Sequence, residues 1–291
     1  IFTSGTSEAL SIVLSRAVAA RRLIAATEHD SVIRASVGAA MLPVDRNGVV
    51  DLATLDAALA GGATSVVAVQ WANSETGVLQ PLDAIAARVH ALGGLLLVDA
   101  AQAPPGTILA CTDFVALSSH KRGGPAGIGA LLVRDLATLE PSGGQERGYR
   151  SGTENVPGAL GYAAALADIP DSARWSALRA RLDDAIVRSG GEVVARDVAR
   201  HPAIGSYRMP GVESAVQLIR FDLAGIAVSA GSACASGSMK PSHVLTAMGW
   251  SERAAREVVR ISFGVATSDS DVDAAIAAWR AIARDARSKA A

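Results

Sequence analysis

Leu95-Leu96-Leu97-Val98-Asp99-Ala100-Ala101-Gln102 is a run of four large apolar residues that ends in a carboxylate. A run this short, closed by a polar residue, reads as a buried strand. Outward from it, similar runs occur at 23–27, 41–44, 65–70, 114–118 and 129–133, with amphipathic stretches at 7–16, 52–59 and 82–92 between them. Strand–helix alternation predicts an α/β fold: a mostly parallel sheet covered by helices. Its ligand site is expected beyond the carboxyl ends of the strands. Ile1-Phe2-Thr3 reads as a strand already under way, so an N-terminal segment is expected to be missing. Pro170-Asp171-Ser172 reads as a break and a helix start. After it come a helix over 172–188, strand-like stretches at 192–195 and 203–209, and a helix near 212–221. Strands at 226–229 and 258–263 and a last helix over 270–287 follow. The expected organisation is a large domain over 1–171 and a smaller α+β domain over 172–291.

Composition narrows the function classes. Of the 291 residues, 50% are hydrophobic and 19% charged, enough for a substantial core. Lys plus Arg is 27 and Asp plus Glu is 28, which argues against a nucleic-acid face built on bulk charge. No apolar run approaches the roughly 20 residues of a membrane span. Cys111 and Cys234, the two cysteines, make no disulfide framework, so a reducing, cytoplasmic setting is expected.

Several short stretches carry groups with chemistry. Leu117-Ser118-Ser119-His120-Lys121 is followed by Gly123, Gly124, Pro125, Gly127 and Gly129. A lysine in a small-residue loop, downstream of an aspartate that ends a strand, is what a pyridoxal phosphate (PLP) site requires. The amine forms a Schiff base with the cofactor aldehyde, and the aspartate keeps the ring nitrogen protonated. The competing readings are a surface lysine on a glycine-rich turn and a helix-capping Asp99. Thr3-Ser4-Gly5-Thr6-Ser7-Glu8 follows a strand and opens a helix, as either a phosphate cup or an ordinary cap. His29, in Thr27-Glu28-His29-Asp30-Ser31, suits stacking on a flat ring or proton transfer, or is a capping residue. Asn73-Ser74-Glu75-Thr76-Gly77 offers amide and hydroxyl groups to a cofactor oxygen, or is a polar turn. Gln145-Glu146-Arg147-Gly148-Tyr149-Arg150-Ser151-Gly152-Thr153 concentrates two arginines that suit phosphate or carboxylate, or is a solvated loop. Ser229-Ala230-Gly231-Ser232-Ala233-Cys234-Ala235-Ser236-Gly237-Ser238 puts one thiol on a small-residue run, where it is a nucleophile as thiolate or a structural cysteine. Cys111 has no such context and reads as structural. Arg260, inside the apolar run Val258-Val259-Arg260-Ile261-Ser262-Phe263, needs an anionic partner: a substrate carboxylate or an internal salt bridge.

In this order, the motifs closely resemble those of the cysteine desulfurases of the class V aminotransferase family, PLP enzymes of fold type I. The resemblance runs over essentially the whole chain. It implies that Lys121 is the Schiff-base lysine, that Asp99 pairs with the ring nitrogen, that His29 stacks on the ring and that Gln102 contacts the phenolic oxygen. Thr6, Ser7, Ser118 and His120 would hold the phosphate, and Asn73 or Ser74 would contribute a cofactor contact. The residue matching Thr153 reaches the phosphate of a neighbouring subunit in this family, which implies a homodimer. Arg260 would bind the carboxylate of L-cysteine. Cys234 would take the sulfur as a persulfide, leaving alanine, and pass it to a sulfur-acceptor protein such as an iron–sulfur scaffold or a sulfur carrier. Residues 234–245 look like the long-loop form of the family. Three departures stand out: Ser74 where many relatives have Asn, Gln145 where His is also common, and no match to the family's N-terminal segment with its Ala-Thr-Thr stretch. A selenocysteine lyase, another class V enzyme or an inactive truncated scaffold that binds sulfur-transfer partners are the alternatives. No metal, nucleic acid or membrane is expected.

Overall fold

The computed structural model describes residues 1–107, 109–231 and 242–290. They divide into two units. The first comprises Ile1–Val44, Val49–Ala72 and Gln80–Pro170; the second comprises Asp45–Gly48, Asn73–Leu79 and the chain from Asp171 on.

The first unit runs β1 (Phe2–Thr3), α1 (Thr6–Arg16), β2 (Arg21–Ala25), α2 (Asp30–Ala35), β3 (Ala40–Leu42), α3 (Leu52–Leu59) and β4 (Ser65–Gln70). It continues with α4 (Leu82–Ala91), β5 (Leu95–Asp99), β6 (Phe114–Ser118), β7 (Gly129–Val133) and α5 (Val156–Leu166). The strands form one 7-stranded sheet in the order β1-β7-β6-β5-β4-β2-β3. From β3 to β6 every pairing is parallel. Only β7 is reversed, pairing antiparallel with both β6 and β1. Side chains alternate across the sheet. Val67, Leu96 and Val98 pack against Leu55, Leu59, Ile85 and Val89 of α3 and α4. Val66, Ala68 and Leu97 pack with Leu10, Val13 and Leu14 of α1. With both faces covered, all six residues of β4 are buried, which is why its sequence is apolar without alternation. Because these strands are parallel, their carboxyl ends gather at one edge, with Gln70 beside Asp99 and Asp99 beside Ala116.

The second unit adds α6 (Ser172–Arg188), β8 (Glu192–Val193), β9 (Ile204–Arg208), α7 (Ser214–Leu223) and β10 (Ser229–Ala230). It ends with α8 (His243–Ala247), α9 (Glu252–Ala255), β11 (Val258–Ser262) and α10 (Asp269–Ala290). Its 4-stranded sheet, β10-β11-β9-β8, is antiparallel throughout. Leu182, Ile186, Tyr207, Phe221 and Trp279 fill the core beneath it.

Two expectations need correction. Residues 45–48 and 73–79 were expected in the first domain but fold with the second unit. The Gly77 carbonyl accepts from the His201 N–H at 2.7 Å, the Leu79 N–H donates to the Ala199 carbonyl at 2.9 Å, and the Ser206 hydroxyl donates to the Glu75 carbonyl at 2.8 Å. Gly77 has φ +78°, and a Cβ there would lie 2.6 Å from the Ile204 carbonyl oxygen, so glycine is required at this approach. The strand expected at 226–229 is found at Ser229–Ala230, where Ser229 and Ala230 pair with Arg260 and Val259, while Ile226 and Val228 pack against the core ahead of the paired residues. Helix α5 was not anticipated. Its start is set by Asn155, whose side chain accepts from the Gly158 N–H at 3.0 Å, and by a proline in the first turn. Among the described residues, no helix is long and apolar enough to cross a membrane.

A buried polar network lies within the second unit. Asp183 accepts from the Tyr207 hydroxyl at 2.7 Å and pairs with Arg200 at 2.6 Å, while Arg179 donates to the Tyr207 oxygen and to the Pro202 carbonyl. Neighbouring His201 is 5% exposed, and its Nδ1 accepts from the Ala203 N–H at 3.1 Å. Burial, with the Arg179 charge beside it, lowers its pKa from 6.5 to about 4. Between those values the unfolded chain binds a proton that the folded chain refuses. Stability from this group is therefore complete above pH 6.5 and is lost as pH falls towards 4. We expect the drop in unfolding free energy between pH 7 and pH 5 to shrink by about 2 kcal/mol in His201→Asn. Denaturant titrations at the two pH values measure it, and an unchanged drop assigns the acid sensitivity to other groups.

Candidate active site

The carboxyl edge of the first sheet collects most of the polar residues singled out in the sequence. Asp99, the last residue of β5, is 8% exposed, and its carboxylate accepts from the Ala101 N–H at 2.9 Å. Burial pushes its pKa up, while the Ala101 hydrogen bond and the nearby charges of His29 and Lys121 pull it back. A carboxylate in this position gains from a cation placed against it. Glu28, which follows β2, is 0% exposed, and its Oε1 accepts from the Gln70 N–H at 2.8 Å. Burial and then the charge of Asp99 raise its pKa well above the usual carboxylate value. Of the two buried acids, Glu28 is therefore pushed further towards its protonated form than Asp99. Sequence reasoning left Glu28 out of the site. Its one signal was an acid lodged between Thr27 and His29 directly after an apolar strand.

Lys121 stands in the middle of a 3-10 turn, His120–Arg122, just past β6. The Ser119 carbonyl accepts from the Arg122 N–H at 2.8 Å and from the Gly124 N–H at 3.1 Å, and Gly123 takes a left-handed φ of 79° to end the turn. The Lys121 side chain is exposed, while Ser118 at the strand end is buried with its Oγ 2.8 Å from His120 Nδ1. His29 caps α2: its Nδ1 accepts from the Ser31 N–H at 3.1 Å and lies 2.8 Å from Ser31 Oγ. An Nδ1 that accepts a backbone proton leaves the neutral ring protonated on Nε2. Gln102 is half-buried in the turn that follows Asp99.

The N-terminus of α1 closes this edge. Gly5 has φ +153°, and a Cβ there would lie 3.9 Å from Ser118 Oγ. A Cβ on Gly129 would come within 2.6 Å of the Gly5 Cα, so the two glycines let the loop and β7 meet. Thr6 is 9% exposed, and its hydroxyl has no hydrogen-bond partner among the described residues, whereas Ser7 is exposed. Glu8 accepts from the Ser4 N–H and pairs with Arg150 at 3.0 Å. Burial would raise the Glu8 pKa, but these two partners hold it below the usual carboxylate range. Arg150 also reaches the Gly152 and Thr153 carbonyls at 3.5 and 3.4 Å, so exposed Thr153 lies on a loop tied to the first turn of α1.

Within the second unit, Asn73 spends its side-chain oxygen on its own turn, accepting from the Glu75 and Thr76 N–H groups at 2.9 and 2.8 Å. The Ser74 carbonyl accepts from Arg260 Nη1 at 2.9 Å. Half-buried Arg260 on β11 is thus held by a backbone oxygen beside the residue that departs from the family pattern. Cys234 lies outside the described residues.

These groups fit pyridoxal phosphate. A buried threonine hydroxyl without a partner, at the start of an 11-residue helix, is a donor suited to a phosphate. Asp99 is a buried acid suited to a protonated ring nitrogen, and the lysine amine follows in the turn after the next strand.

Comparisons with known proteins show the family. The Aminotransferase class-V family profile matches residues 1–275. A cysteine desulfurase from Bradyrhizobium diazoefficiens is 37% identical over 303 residues, covering 96% of this chain and 77% of the relative. A NifS-like protein from Rickettsia africae superposes with a TM-score of 0.85 at 30% identity, over 97% of this chain and 80% of its own. SspA, solved in complex with cysteine, superposes with a TM-score of 0.74 at 29% identity, over 90% of this chain and 80% of its own.

Proposed function

Because the chain belongs to the aminotransferase class-V family, we propose that it is a pyridoxal-phosphate-dependent cysteine desulfurase, converting L-cysteine to L-alanine. The observation that carries this reading is the buried Asp99 carboxylate at the end of β5, with the turn that carries Lys121 just past the neighbouring strand β6. When bound, PLP supplies the electron sink that makes the bonds at the substrate Cα and Cβ breakable.

The chain's own residues do the rest. Thr6, Ser7, Ser118 and His120 hold the phosphate with hydroxyl, imidazole and helix N-terminal donors. Asp99 would stabilise the positive ring nitrogen, and Glu28, whose pKa burial and the Asp99 charge push up, would compete less for that charge. His29 would lie against the ring, its orientation fixed by its contacts with Ser31. Gln102 would contact the phenolic oxygen, and so would Asn73 through its side-chain amide donor, its oxygen being engaged in its own turn. Arg260, oriented by the Ser74 carbonyl, receives the substrate carboxylate.

Cys234 takes the sulfur. The substrate Cβ–Sγ bond breaks, an S–S bond forms at the Cys234 sulfur, and Cβ gains the hydrogen that makes alanine. The thiol and L-cysteine together become a persulfide and L-alanine, so no outside oxidant or reductant is needed. The persulfide then passes to a thiol acceptor, a sulfur carrier or iron–sulfur scaffold. Exposed Thr153, on its tethered loop, suits a contact with the phosphate of a second copy, and a homodimer follows from that reading.

Incubating the PLP-loaded chain with L-cysteine and a reducing thiol tests the proposal. Alanine and sulfide are expected in equal amounts. A PLP-loaded chain that makes no alanine sinks it.

A further inference from the structure

The two residues that grip opposite ends of one rigid ring must be held at a fixed separation. Asp99 ends β5 and Lys121 lies in the turn after β6, and the backbone pairing of β5 with β6 reaches only Asp99 opposite Ala116. Beyond it, the Ala100 N–H still donates to the Ala116 carbonyl at 3.0 Å, but the turn that carries Lys121 comes later, after Ser118. The turn's own backbone bonds run to Ser119 and to Ile128, not to β5. One side chain bridges the gap. Arg122 Nη2 donates to the Ala100 carbonyl at 3.1 Å. Arg122 is the residue after Lys121, and Ala100 is the residue after Asp99.

We propose that Arg122 is a positioning residue that sets the distance between Lys121 and Asp99 through this single hydrogen bond. The inference rests on the PLP reading above. Its surroundings favour a fixed guanidinium over a solvated one. Arg122 is half-buried, its Nε has no partner among the described residues, and no carboxylate there pairs with it. Buried Tyr162 lies near it, also with its hydroxyl unpartnered among the described residues. Burial lowers the Arg122 pKa, and the proximity of Tyr162 offsets part of that. A charged group kept under cover, with a backbone oxygen as its acceptor, contributes more to placement than to solubility.

The test compares Arg122→Met and Arg122→Lys with the parent chain. In PLP-free protein, Arg122→Met is expected to melt within about 4 °C of the parent. Its dissociation constant for PLP should rise about tenfold or more, and the visible band of the lysine-bound cofactor should weaken. Arg122→Lys, which keeps one charged donor, should recover most of both. Parental affinity and spectrum in Arg122→Met overturn the inference. So does a loss that Arg122→Lys fails to restore and that is matched by a fall in melting temperature, since that is a packing role. A parent chain that forms no visible band with PLP fails one step earlier, at the cofactor reading, and takes this inference with it.

Discussion

Lys121→Ala is expected to lose the visible band of the lysine-bound cofactor and to cut alanine formation by about 10³-fold or more. The substitution removes the amine and leaves its surroundings in place. The 3-10 turn is built by Ser119, Arg122, Gly123 and Gly124 backbone groups, none of which needs the lysine side chain. That side chain is exposed, so its removal opens no cavity and stability should change little. PLP should still dock through its phosphate and Asp99 and show the spectrum of the free aldehyde. Lys121→Arg separates charge from nucleophile: it keeps a cation but should behave as the alanine variant does. Absorption spectra with a coupled alanine assay give both readouts. A Lys121→Ala protein with the parental band and turnover removes Lys121 from the site.

Cys234→Ala should keep the visible band and lose sulfide release down to the level of a reaction without protein. The argument here is chemical. A thiol on a run of glycine, alanine and serine can approach a bound substrate, and it attacks sulfur as thiolate. Cys111 provides the contrast within the same chain. Burial and then a hydrogen bond with Asp83 raise its pKa, so it stays a protonated thiol. Cys111→Ala should therefore release sulfide at the parental rate. If Cys111→Ala loses activity and Cys234→Ala does not, the two roles are reversed.

How far the sequence revealed the fold depended on burial. The boundaries of β4, β5, β6 and β7 match the apolar runs residue for residue; for β4, β5 and β6 this is because strands covered on both faces leave continuous hydrophobic segments, whereas Leu132 of β7 is exposed. The second strand was read from residue 23 to 27 but spans Arg21–Ala25. Its first two residues are arginines, and Arg22 sends its guanidinium back to the Leu14, Ala17 and Ala19 carbonyls. A charged residue that satisfies itself on nearby backbone looks, in sequence, like a loop. Within the site, Asp99 and Lys121 were legible because charge at the end of an apolar run is costly and needs a reason. Glu28 was not, because the upward shift of its pKa depends on burial and on Asp99, which is distant in sequence. Arg122 was hidden by standing next to a more reactive neighbour.

The separate allegiance of residues 73–79 bears on how this protein can be taken apart. The polypeptide passes from one unit to the other at 44/45, 48/49, 72/73, 79/80 and 170/171, so the boundary is not a single joint. A gene cut at codon 170 would leave Asn73–Leu79 on one fragment and the groups they bond, near His201 and Ser206, on the other. Neither product would be a domain in the sense of something that can be inherited or expressed alone. Fragment complementation would have to restore that interleaving before either half regained its hydrogen bonds. Recombination in this family should therefore favour breakpoints that keep 73–79 with the region after 171.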